Sequence, residues 1–129
     1  MRLSNSLSVN NKTKWSKEPD NKDYINAGNY LLLICDEKEA AKLVKKLKCA
    51  SANEFQAKDI LRASGLPLLM PTDSKVKDNH EKILAGKKIS PLLLVRHACS
   101  GRVIIADGYH RMCAVYSIDE DSSIPCKIV

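Results

Sequence analysis

The residues best equipped for chemistry fall in one pentapeptide, Asp107-Gly108-Tyr109-His110-Arg111. It brings a carboxylate, a phenol, an imidazole and a guanidinium together. The apolar stretch Val103–Ala106 before it reads as a buried strand, and Met112–Tyr116 after it reads as a short helix. The pentapeptide therefore falls where a strand turns into a helix N-terminus. There the first amide hydrogens lack intrahelical partners, and the macrodipole leaves a partial positive charge. His110 and Arg111 add further donors, and the natural guest of such a point is an anion, phosphate first. Gly108 permits a left-handed backbone or the close approach of a ligand. Cations at a helix N-terminus oppose the dipole, so the pair calls for a counter-charge. Either a bound anion or a carboxylate supplies it, the latter from Asp107 or the 119–121 turn.

Each candidate has a chemical and a bland role. His110 is a candidate acid–base group, or an ordinary helix-start residue. Asp107 can orient His110 or Arg111, hold a phosphate-bound Mg²⁺ as a metal ligand, or simply close the turn by accepting an amide. Tyr109 can contact a base or pack over the turn. Asp73 follows Pro71-Thr72 and is either an N-cap or a carboxylate acting on a substrate hydroxyl. Lys58 and Arg62 stand one helical turn apart and can reach a phosphate or face solvent. His80 lies on an apolar stripe and reads as a core-edge histidine.

The elements that must position these groups are legible in outline. Tyr30–Cys35 is a short apolar run and is expected to be a strand. Asp36 can cap a helix over 37–48, with Ala40, Leu43, Val44 and Leu47 on its apolar stripe. Residues 49–56 look like a polar connection. A short helix over 57–64 should stop at Gly65. Pro67 and Pro71 keep the intervening chain extended or irregular. A helix over 74–85 follows Asp73. Pro91–Arg96 and Arg102–Ala106 form a plausible antiparallel hairpin. A helix over 110–117 and a last strand, 124–129, complete the chain, with Pro125 suited to an edge or to a strand beginning. A hairpin mixed with short helices, without regular alternation, predicts an α+β fold on a small mixed sheet. The expected division is a basic arm over 1–23, with Trp15 able to dock on the domain, and a single domain over 24–129.

Composition narrows the function classes. The chain has 129 residues and a net charge of +6, which suits one domain and favours anionic partners without choosing among them. Lys38, Lys42, Lys45, Lys46 and Lys48 crowd one helix, as a solvated face or a patch for an acidic protein or nucleic acid. One Trp and one Phe give poor support to a stacking platform for single strands. The five cysteines, with no C-x-x-C pair, read as free thiols rather than a zinc site or disulfide framework. No apolar run approaches bilayer length or signal-peptide character, so a soluble cytoplasmic protein with no membrane partner is expected.

On the Asp-Gly-Tyr-His-Arg motif and the order of elements around it, the chain over residues 57–129 resembles the ParB/sulfiredoxin-like superfamily. In that group a helix and a strand precede a Gly-x-His-Arg or Gly-x-Arg-Arg turn, and a short helix and a closing strand follow. Ile124-Pro125-Cys126-Lys127-Ile128-Val129 looks like the closing strand. The resemblance implies that Gly108, Tyr109, His110 and Arg111 hold the phosphates of ATP or CTP. Lys58 falls in the region that lies beside the nucleotide in family members. Tyr109 stands where sulfiredoxins place their reactive cysteine, and a phenol of pKa about 10 does not replace a thiolate, so sulfiredoxin chemistry is not expected. Partition proteins carry a second Arg at the position of His110 and add a helix-turn-helix module, so sequence-specific DNA reading of that kind is not expected. The expected function is nucleotide phosphate binding, with phosphotransfer or nucleotide hydrolysis as the reaction class and His110, Asp107 and Asp73 as its catalytic candidates. The alternative is a non-catalytic binding module: toxin-neutralising, adaptor or nucleic-acid-associated.

Overall fold

Leu92-Leu93-Leu94-Val95 is apolar at every position, and each of these side chains is buried. A strand of that kind needs cover on both faces, and this one has it. A computed structural model describes residues 13–97 and 99–129. In chain order the elements are β1 (Lys14–Trp15), α1 (Asn21–Leu31), α2 (Glu37–Cys49), β2 (Ala52–Gln56), α3 (Ala57–Ser64), α4 (Ser74–Leu84), β3 (Lys88–Ile89), β4 (Leu92–His97), β5 (Arg102–Asp107), α5 (Tyr109–Ile118) and β6 (Ser123–Ile128). The main sheet has the order β2-β6-β4-β5. The β4–β6 pair is parallel, with Leu92 opposite Cys126, and the outer pairs are antiparallel. The architecture is α+β on a mixed sheet, as the sequence predicts.

The alternation along β4 sorts its side chains to two cores. Leu92 and Leu94 join Ile105, Ile124 and Cys126 beneath α3, α4 and α5. Leu93 and Val95 join Ala106 beneath α1 and α2 through Tyr24, Ala27, Leu31, Ala40 and Leu47. The sheet thus lies between two helical layers. Helix α5 is buried through Met112, Cys113, Ala114 and Val115, and its first turn, Tyr109–Arg111, is half-buried.

The helices start and stop where their caps dictate. The Asp36 carboxylate accepts the Glu39 amide at 2.8 Å. Asp73 accepts the amides of Lys75 and Val76 at 3.0 and 3.1 Å. Helix α3 ends at Gly65 in the left-handed conformation, as expected. Trp15 packs against the core, and β1 pairs in parallel with β3.

Three expectations need correction. Tyr30–Cys35 is no strand: Tyr30 and Leu31 end α1, and a turn follows. Its apolar side chains are largely exposed, Leu33 at 84%, so the run reflects surface hydrophobicity rather than burial. The polar connection before residue 57 contains β2, an edge strand. Its Ala-Asn-Glu sequence faces solvent and carries no hydrophobic alternation to detect. Pro125 lies near the start of β6, an interior strand between β2 and β4, so of its two expected places it takes the strand beginning and not the edge. The boundary set at residue 23 also falls inside α1. Residues 1–12 of the expected arm lie outside the described residues.

Candidate functional site

Gly108 forms the turn between β5 and α5 with φ +108°. A Cβ there would lie 2.8 Å from Leu92 Cγ and 3.0 Å from Arg111 Nη2. The glycine is therefore needed by the backbone and by the molecule's own packing. No side chain caps α5, and the first helical bond runs from the Met112 amide to the Gly108 carbonyl at 2.9 Å.

Arg111 is turned inward. Its Nε donates to the Ser90 carbonyl at 2.9 Å, and its Nη2 donates to the Pro91 carbonyl at 3.1 Å and to Asp107 Oδ2 at 2.9 Å. Nη1 lies 3.9 Å from Asp23 Oδ1, and the Asp23 side chain is only 3% exposed. Asp23 also accepts the Asp20 amide at 2.9 Å in the capping box of α1. One guanidinium thus ties the start of α5 to the segment before β4 and to the start of α1. Of the two counter-charges the sequence leaves open, carboxylates serve Arg111. One is Asp107; the other, Asp23, has no sequence signal beyond its capping position. Burial, joined by the neighbouring Asp23 charge, pushes the Asp107 carboxyl above the ordinary carboxylate range, against the pull of Arg111.

Above this clasp lies a polar depression of about 310 Å³. Asp107, Gly108, Tyr109, His110 and Arg111 form one side of it. Lys75, Asp78, Asn79 and Lys82 of α4 form another, and Asn26 of α1 completes the rim. The His110 ring is half-buried, tilted against the Tyr109 ring at a centroid distance of 5.5 Å. The Tyr109 hydroxyl donates to the Pro67 carbonyl, which ties the phenol to the segment that follows α3. Lys75, Asp78, Asn79 and Lys82 were missed in the sequence. Their spacing of three, four and seven is a polar stripe flanking the apolar stripe of Val76 and Ile83, and that stripe is their signal in the sequence.

The remaining candidates are held elsewhere. Asp73 caps α4 and is not on the rim. Lys58 pairs with Asp121 at 2.5 Å, and that hydrogen bond raises its pKa. Arg62 pairs with Asp59 on the surface. Cys113 and Cys126 are buried. Burial raises the Cys113 thiol and pushes Cys126 up to about 12. Among the described residues no group of three or more His, Cys, Asp or Glu side chains could hold a metal. With one oxygen on Arg111 and its pKa raised, Asp107 is poorly suited to Mg²⁺. No helix among the described residues is long and apolar enough to cross a membrane. Comparisons of the chain with protein-family models, with curated proteins and with solved structures find no match.

Proposed function

We propose that the domain binds the phosphate end of a nucleotide, ATP or CTP, in the depression at the start of α5. The observation that carries this reading is the juxtaposition of the uncapped α5 N-terminus with His110, Lys75 and Lys82 around one polar hollow. Amides at a helix start and flanking cations make an anion site together. A volume of about 310 Å³ is small for a whole ligand and suits its phosphate end. The order α4, β4, β5, glycine turn, α5, β6 matches the one implied by the resemblance to the ParB/sulfiredoxin-like superfamily, which supports the nucleotide as the phosphate carrier.

The roles within the motif shift. Arg111 acts as a positioning residue, because its Nε and Nη2 donors are taken by Asp107, Ser90 and Pro91 and its Nη1 faces Asp23. His110 contacts the phosphate and is the acid–base group of this reading. Phosphotransfer or hydrolysis is the reaction class that this positioning chemistry serves.

Titration of ATP and CTP, with and without Mg²⁺, against wild type, His110→Ala and Lys75→Ala/Lys82→Ala tests the reading. Losing hydrogen bonds to a charged group is expected to weaken binding by about tenfold or more in each variant. Released phosphate in the same samples reports turnover. Equal affinities across the three proteins would remove the site.

A further inference from the structure

A second surface lies between α1 and α2, and it stands independently of the phosphate reading. Helices α1 and α2 enclose an apolar groove of about 760 Å³. The two helices run antiparallel: Lys48 lies over the Tyr24 ring at 5.7 Å, and Gly28 faces Val44. Ile25 and Leu32 stand two helical turns apart on one wall, 64% and 51% exposed. Leu33 and Ile34 continue the apolar surface beyond the end of α1. Contiguous exposed apolar surface framed by polar residues marks an interaction site.

Gly28 sits between Ile25 and Leu32, on the floor of the groove. Glycine in a helix interior costs stability relative to alanine, and here the nearest heavy atom to an added Cβ is Val44 Cγ2 at 3.5 Å. Alanine would therefore fit the fold. Glycine deepens the hollow instead.

Charge selects the occupant. Lys45 and Lys48 line one end of the groove and Glu37 the other. Over α2 as a whole, five lysines stand against two glutamates. Two copies of this face would each bring an excess of lysine over glutamate, which disfavours self-association. The recessed floor suits an inserted side chain better than a flat lipid surface. We infer that the α1–α2 groove is the docking site for an acidic amphipathic helix of a protein partner, seating its apolar stripe over Gly28 with its carboxylates on Lys45 and Lys48. This is the helix-in-groove mode of recognition. The lysine end of the groove takes the partner's C-terminal, negative helix end.

Fluorescence anisotropy with a labelled model helix tests the inference. The probe carries leucine along one face and glutamate on both flanks, and its twin replaces every glutamate with lysine. The acidic probe is expected to bind at least about tenfold more tightly than its twin. Gly28→Phe, which fills the floor, and Lys45→Glu/Lys48→Glu, which changes two exposed side chains, should each lose about tenfold or more in affinity. Thermal melting verifies the fold, and nucleotide affinity should stay unchanged in both variants. The inference is overturned if the acidic probe does not saturate, if the twin binds equally well, or if the glutamate variant keeps full affinity. It is also overturned if these variants instead abolish binding to phosphatidylserine vesicles or dissociate a dimer seen by sedimentation.

Discussion

Arg111 decides how the motif is understood at the scale of single residues. A free arginine at a helix start would be a phosphate ligand, whereas a clasped one is a tie between elements. Its removal leaves Asp23 and Asp107 without their cation, and breaking a buried pair in this way costs about 3–5 kcal/mol. Arg111→Ala is therefore expected to lower the unfolding free energy by that amount in urea denaturation. Arg111→Lys should recover little, because an ammonium cannot reproduce the fork to Ser90, Pro91 and Asp107. A variant that keeps wild-type stability but loses nucleotide affinity would make Arg111 a ligand. Asp107 carries a pH signature of its own. Its folded pKa is raised, chiefly by burial, so the folded state holds the proton more tightly than the unfolded chain. That contribution to stability is full below the unfolded value of about 3.9 and is lost as pH rises through the folded value. The stability of wild type relative to Asp107→Asn should accordingly fall as pH is raised from about 3.5 towards neutrality. A flat difference would contradict the burial of that carboxyl.

Whole elements were legible where local chemistry agreed with tertiary need. Asp36, Asp73 and Gly65 mark helix ends, and Ala57–Ser64 forms α3 within the bounds expected. The apolar runs of β4 and β5 announce buried strands. Failures came where exposure broke the link between hydrophobicity and burial. Leu32, Leu33 and Ile34 look like a core strand and lie at the surface, while Asn53 and Glu54 look like a loop and pair with β6. Of the candidate site, the turn and the α5 start were readable from five consecutive residues. The α4 wall and Asp23 come from distant parts of the chain, and only the fold places them there. Helix α1 offers a test at this scale. Gly28→Ala should stabilise the protein by about 0.5–1 kcal/mol, because the helix gains propensity and Val44 leaves room for the methyl. Destabilisation would mean that the two helices pack more closely than the 3.5 Å separation allows.

Across the whole molecule α1 borders two surfaces, a polar hollow at the start of α5 and an apolar groove between α1 and α2. The fold also sorts the thiols. Cys113 and Cys126 are sealed in the core, whereas Cys49 and Cys99 are exposed. Iodoacetamide should modify the exposed pair in the native protein and reach Cys113 and Cys126 only after denaturation; fast native labelling of Cys126 would contradict its burial. The most direct measurement for the phosphate reading is a ¹H–¹⁵N NMR titration of the folded protein with ATP, CTP and inorganic phosphate. The expected result is a saturable shift centred on the amides of Tyr109, His110 and Arg111, with smaller shifts along the Lys75–Lys82 face of α4. Stationary amides at 109–111 under saturating nucleotide, or shifts confined to the α1–α2 groove, would contradict it.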